Sequence, residues 1–439
     1  MIKWLSFMAH PIFLRPWLAA MLYGFVFLYA LLFLLDQSLF KAAVKVFPLV
    51  VFVAVFWFAK YYFRTAAFFL VVYAVFTPLL AWFFMAQDYP EIAFSSPNVK
   101  PVLDNFLFVP MALVLLGDKV KTYLFWVLAG LSSFLVPWVG GDGLLEWERL
   151  LNGVRTGFGG HIITMGMVYA VVLRGLLVFC KEFFKAEKLR TLFIVAWLFF
   201  LFLSIVGVIA SQSRAVYLGL FVSLAVWVVA FVFLSNKNRI ERLRTSLFGL
   251  CILFSLLGAG YTLGLFDSIK QRVSAEHGVY SSLLSGQINK IPKNSAGLRV
   301  HFWQEAVQWS KERPLFGWDR DISKRINKQA GNYFFKGVPF QSMHNDFLEL
   351  LVTYGIFGVF LFVAVLMWVL LGLTKLQRKK RIDSNVFLFM LCFLSFFVVN
   401  GLFMSTWFFM ESKFIWNIVM AGGVGYLFKS VYLETVEPV

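Results

Sequence analysis

Apolar runs alternate with short polar connections along nearly the whole chain. The runs lie at about 17–35, 44–59, 66–86, 102–116, 120–138, 161–180, 191–210, 214–234, 246–265, 346–372, 386–406 and 414–433. A helix needs about 20 apolar residues to cross ~30 Å of hydrocarbon, so the pattern predicts about 12 transmembrane helices. The fold class is that of an all-α polytopic membrane protein. It divides into helices 1–9 over residues 1–265, a large outer loop over 266–345, and helices 10–12 over 346–439. Met1 to Pro16 holds two basic residues but no short apolar core with a small-residue cleavage site, so the first run is expected to stay as a span.

Alternate connections are basic. Lys60 and Arg64 form one, Lys119 and Lys121 another, then Lys181 to Arg190, Lys237 to Arg244 and Lys375 to Arg381. All five fall on one face if the N-terminus is cytoplasmic, as the positive-inside rule requires, and twelve spans return the C-terminus there. The other face carries a proline-bearing connection at about 87–101, a glycine-rich one at about 139–160, the very short Ser211-Gln212-Ser213-Arg214, and the long segment 266–343. Loops of that last length usually have a function. Between Asp267 and Met343 it holds twelve Lys or Arg against six Asp or Glu. An anionic substrate explains that excess; adhesion to anionic lipid headgroups is the plainer alternative.

Composition supports the membrane reading: 60% of residues are hydrophobic and 14% charged, against roughly half and a quarter in soluble domains. The net charge of +17 sits mostly in short loops, which points to topology and away from a nucleic-acid groove. Cys180, Cys251 and Cys392 lie in or at the ends of apolar runs and form no disulfide or metal pattern.

The densest polar chemistry stands where the outer loop meets the tenth run: Ser342-Met343-His344-Asn345-Asp346-Phe347-Leu348-Glu349, continuing to Gly358. Ionisable groups at a bilayer boundary are costly unless they face water, protein or a ligand. A helix N-terminus attracts anions and disfavours imidazolium, which makes a neutral His344 a candidate general base. The plainer account is a helix cap by Asn345 or Asp346, with His344 incidental. Arg214 is placed either to snorkel to lipid phosphate or to clamp a substrate phosphate with its planar fork. Arg155 sits among glycines that either let backbone approach a ligand or only make a turn. Arg299 lies in Gly297–Trp309, which reads as an amphipathic helix. Asn294 or Ser295 would cap it, and Arg313-Pro314-Leu315-Phe316-Gly317 would end it. It would lie flat over the membrane with Arg299 inward. His161 and His301 read as structural or peripheral, and His10 and His277 carry no context.

No P-loop, Gly-x-Ser-x-Gly, His-Glu-x-x-His or Cys-x-x-Cys occurs, and Asp319-Arg320-Asp321 has an arginine between its carboxylates. The predicted spans are almost free of carboxylates, which argues against a proton-coupled carrier.

The His344-to-Gly358 run, Ser213-Arg214, and Arg299 through Trp303 to Pro314-Leu315-Phe316-Gly317 together resemble the O-antigen ligase and polymerase superfamily, most strongly over about 205–360. These are multi-span bacterial inner-membrane enzymes with one large periplasmic loop. The resemblance implies a membrane glycosyltransferase C-type fold and a glycan donor on undecaprenyl diphosphate, with no metal, nucleotide sugar or cofactor. His344 falls on the family's periplasmic histidine, which activates the acceptor hydroxyl. Arg214 and Arg299 fall on arginines that hold the diphosphate, and Arg155 is added on its loop context. Asn345, Asp346 and Glu349 are expected to support His344 or bind acceptor sugar. Direct attack on the anomeric carbon implies inversion.

Within the family, the single histidine motif and the basic outer loop favour a ligase, which moves O-antigen onto lipid A–core oligosaccharide. A polymerase, a protein O-oligosaccharyltransferase and, from another class, a lipid-linked glycan transporter are the alternatives. Expected partners are the two glycolipids and membrane lipids, with no nucleic acid. The expected setting is the bacterial inner membrane, with both termini cytoplasmic and the site periplasmic.

Overall fold

A computed structural model describes residues 16–36, 43–58, 60–184, 189–234, 277–287, 290–331 and 340–436, together with 247, 251 and 258. Before the outer segment come α1 Pro16–Leu32, α2 Ala43–Phe58, α3 Ala66–Asp88, α4 Lys100–Leu103, α5 Phe108–Leu115, α6 Lys119–Val139, α7 Leu144–Leu151, α8 Ile162–Val178, α9 Cys180–Phe184, α10 Arg190–Ser211 and α11 Arg214–Leu234. The outer segment contributes α12 His277–Leu284, α13 Ser295–Glu312 and α14 Ile322–Gln329. Then follow α15 Asp346–Arg378, α16 Ser384–Gly401 and α17 Met410–Val436. Among the described residues six helices are long and apolar enough to cross a membrane, and α1, α2, α8 and α11 hold shorter apolar stretches. The described residues form helices and no strand, and the chain is a multi-pass membrane protein. The run at 246–265, apart from Leu247, Cys251 and Gly258, and the basic connection at 237–244 lie outside the described residues.

The run at 102–116 departs from expectation. It is divided among α4, a 3-10 turn at Asp104–Phe106, and α5. Side chains of α17 take up the backbone groups that this break releases. Asn417 accepts from Phe108 N and donates to Asp104 O, each at 2.8 Å, and Trp416 Nε1 donates to Asn105 O at 2.9 Å. Broken backbone at membrane depth is tolerated only where protein surrounds it. Every residue of α5 except Pro110 is accordingly buried.

The basic connections meet on one face. Lys119 pairs with Asp383 at 2.8 Å and lies 3.8 Å from Glu182. Arg381 pairs with Glu434 at 3.0 Å, and Tyr62 packs edge-on against Phe428. On the opposite face a second apolar core forms. It joins Phe302 and Ala306 of α13, Trp318, Ile322 and Ile326, Phe340 and Met343 to Met85 of α3 and Val352 of α15. The apolar side of α13, with Leu298, Trp303 and Trp309 at its margin, therefore covers protein and not lipid as its amphipathic pattern suggested. Arg313 pins its end to α3 through Asp88 at 2.8 Å.

Candidate active site

The site is built on a break in α15. This helix runs 33 residues, about 50 Å at 1.5 Å each, which exceeds the hydrocarbon thickness. Gly355, at φ 65° and ψ −161°, divides it into a short outer part and the span proper. Residues 314–319 take up the backbone groups this frees. Ile356 N donates to Pro314 O at 2.8 Å and Phe357 N to Leu315 O at 3.3 Å. In return Trp318 N donates to Val352 O at 2.8 Å and Asp319 N to Thr353 O at 2.9 Å. Gly317 and Gly355 meet at the centre of this joint, where neither has room for a side chain. The Pro-Leu-Phe-Gly and Tyr-Gly signatures are thus its two halves.

The outer part of α15 is anchored by its own polar residues. Asn345 caps it, accepting from Phe347 N and Leu348 N, and donates to Leu402 O. Asp346 is buried and accepts from Trp407 N at 3.0 Å and from the Thr406 hydroxyl. Glu349, also buried, accepts from Met343 N at 2.6 Å, from Ser323, and from Ser405 at 3.3 Å. These bonds run to the 401–409 connection, to α14 and to the backbone before His344, and not to the imidazole. The carboxylates set the position of the histidine's backbone.

His344 itself has a left-handed backbone, φ 49°. Its ring stacks on Phe302 at 5.7 Å and 22°, with Phe340 edge-on at 5.9 Å. Nδ1 is buried and has no hydrogen-bond partner among the described residues. Burial, reinforced by the positive charges of Arg299 and His161, pushes the pKa down to about 4. The imidazole is therefore neutral at pH 7, in a pocket closed on one side by aromatic rings. Arg299 comes from the first turns of α13, whose start Asn294 caps by accepting from Gly297 N.

The glycine-rich connection supplies the other wall. Arg155 Nε donates to Ser211 O at 3.0 Å, Thr156 N to Ala210 O at 3.2 Å, and Gln212 Nε2 to Gly153 O at 3.1 Å. This docks the Arg155 loop on the turn from which Arg214 opens α11. The close approach of α8 and α10 behind it depends on small residues. A side chain at Gly166 would meet Ser211, and one at Gly207 would meet Tyr169.

His161, peripheral by its sequence context, joins this wall. Its backbone N donates to Glu411 Oε1 at 3.1 Å, and its ring stacks on Phe409 at 4.9 Å. The residue as a whole is exposed. Partial enclosure lowers its pKa, Glu411 raises it again in part, and Arg155 adds a lowering. Two histidines, Arg155 and Arg299 thus share one electrostatic field. Arg214 is tied to that field through the Ser211 turn.

Residues 199–363, under half of the 439-residue chain, match the family model described as O-antigen ligase. The matched segment contains Arg214, Arg299, His344, Asn345, Asp346, Glu349 and the Gly317–Gly355 joint. Arg155, His161 and Glu411 lie outside it. No curated protein matches the chain. Over residues 199–363 this multi-pass membrane protein is thus similar to the O-antigen ligase family.

Proposed function

We propose that this protein is an O-antigen ligase of the bacterial inner membrane. It transfers a glycan from undecaprenyl diphosphate to lipid A–core oligosaccharide on the periplasmic side. The observation that carries the reading is the neutral imidazole of His344, its buried Nδ1 unpartnered among the described residues, within the field of Arg299. A sugar hydroxyl is a poor nucleophile until a base takes its proton, a contribution of about 10²–10⁴ in rate. His344 supplies the base. Charge develops on the departing lipid diphosphate, and Arg299, Arg214 and Arg155 stabilise it with charge-assisted hydrogen bonds. Guanidinium groups aimed at the leaving group make a divalent cation unnecessary in this scheme. The acceptor attacks the anomeric carbon from the face opposite the diphosphate, and the new linkage has inverted configuration.

The outer-segment surface favours a phosphorylated acceptor core. Lys324, Arg325 and Lys328 lie on or beside α14, close to the chain that leads to His344. The test uses purified full-length protein in lipid, an undecaprenyl-diphosphate-linked glycan and lipid A–core, with EDTA and no nucleotide. A gel shift of lipid A–core is the expected result. Lengthening of the lipid-linked glycan alone would make the protein a polymerase, and no new glycosidic bond with either acceptor would sink the transferase reading. In the same assay Arg299→Lys keeps the charge and loses the fork. We expect kcat/KM for the donor to fall about 10–100-fold, the worth of one charged hydrogen bond. An unchanged value would remove Arg299 from the donor site.

A further inference from the structure

Thr164, on the first turn of α8, has one hydroxyl proton and three neighbours that compete for it. They are Glu411 Oε2 at 3.1 Å, His161 O at 3.1 Å and His161 Nδ1 at 3.3 Å. A charged acceptor makes the stronger bond, so the proton goes to the Glu411 carboxylate. The hydroxyl oxygen then receives Nδ1–H from His161, and the lone pair of the ring is left on Nε2. Stacking on Phe409 and the backbone bond from His161 N to Glu411 fix the ring's position. The result is a carboxylate–hydroxyl–imidazole chain, on a histidine that is exposed as a residue. Phe409, on which the ring stacks, belongs to the same connection whose Leu402, Thr406 and Trp407 hold Asn345 and Asp346 next to His344.

We propose that His161 is a second proton-handling residue of the transfer site, held by Thr164 and Glu411 so that its Nε2 receives the proton His344 removes. This rests on the transferase reading above. The step balances as follows. The acceptor hydroxyl gives its proton to His344, its oxygen bonds to the anomeric carbon, and the carbon–oxygen bond to the diphosphate breaks with its electron pair leaving on the phosphate. His344, enclosed and within the field of Arg299, passes the proton on to His161 through intervening water. Imidazolium at His161 is stabilised by Glu411 through Thr164, and releases the proton to the aqueous side. The charged groups facing this pair are Glu411 from α17, Arg155 from the glycine-rich connection and Arg299 from α13.

The decisive variants are Thr164→Val, which has nearly the same shape but no hydroxyl, and Thr164→Ser, which restores it. With full-length protein in lipid we expect Thr164→Val to lower kcat about tenfold, the worth of one hydrogen bond, with KM for donor and acceptor unchanged. The step of its pH profile that belongs to His161, distinct from the acid limb of His344, moves to lower pH, because imidazolium loses the link to the carboxylate. Thr164→Ser should recover the parent rate and profile. Equal losses in both variants, or no loss in either, would overturn the proposal while an active parent keeps the transferase reading intact. An inactive parent would take both down. A readout independent of activity is the nitrogen-15 spectrum of the five histidines. The His161 signal, assigned by its loss in His161→Gln, should show the Nδ1–H tautomer in the parent, and an Nε2–H tautomer overturns the proposal.

Discussion

His344→Gln, in protein that still inserts and folds, is expected to lower kcat for glycan transfer by a factor of about 10²–10⁴ with little change in donor KM. Glutamine keeps polar atoms near the ring nitrogens but takes up no proton at any working pH. Among the described residues the imidazole Nδ1 has no hydrogen-bond partner; the ring stacks on Phe302 and Phe340, and Asn345, Asp346 and Glu349 hold its backbone. Loss of stability should therefore be small beside the loss of rate. The pH dependence follows with a definite sign. A base whose pKa is lowered stays unprotonated further into acid, so the acid limb of kcat/KM, which reports the free enzyme, should lie near pH 4. The limb of kcat reports the loaded enzyme. It should lie higher, because the bound diphosphate offsets the positive field of Arg299 and eases protonation of His344. Removing that charge by Arg299→Gln should shift the kcat/KM limb upward in part, since burial is the larger cause and remains. A limb at 6.5 in the parent, or no response to Arg299→Gln, would mean that the base sits elsewhere.

Legibility from the sequence differed by kind of interaction. Apolar length was enough to place α3, α6, α10, α15, α16 and α17, because the bilayer sets one minimum span for all of them. Alternating charge was enough to bring Lys119, Asp383 and Glu182 to one face. The run at 102–116 failed the same reasoning because its break depends on Asn417, more than 300 residues away in the chain, whose two amide atoms replace helical bonds. Local hydropathy contains no trace of that partner. The cap at Asn345 was legible, since a cap is a local pattern. The partners of Asp346 and Glu349 were not: Thr406, Trp407 and Ser405 come from a connection between two later spans. His161 looked peripheral for the same reason. Its meaning comes from Glu411, a carboxylate at the mouth of the last apolar run, which had no local motif to mark it.

Gly355→Ala is expected to open the outer half of the molecule while leaving its spans in the membrane. At φ 65° and ψ −161° the backbone occupies a region that only glycine enters without strain, about 1–3 kcal/mol for another residue. A Cβ there would also lie 2.2 Å from both the carbonyl carbon and oxygen of Leu315, backbone atoms that cannot swing aside. Relief requires the 314–319 segment to move off, which breaks backbone bonds from Ile356, Phe357, Trp318 and Asp319 at roughly 0.5–1.5 kcal/mol each. The sum is several kcal/mol, a large part of the ~5–15 kcal/mol that holds a domain together. Residues 356–378 remain apolar and helical, so insertion should survive. What is lost is the register of α13 against α15, and with it the placement of Arg299 beside His344. We expect transfer activity at or below that of His344→Gln, together with faster tryptic cleavage at the Lys and Arg of the outer segment. Gly24→Ala is the control, since a Cβ there meets nothing within 4 Å. Gly317→Ala should reproduce the defect from the other side of the joint, its Cβ falling 2.6 Å from Gly355 N and from the Thr353 carbonyl. Because either change separates the same two segments, the double variant should be scarcely worse than either single one. Parent-like digestion and activity in Gly355→Ala, or fully additive losses in the double variant, would show that the two glycines do not form one joint.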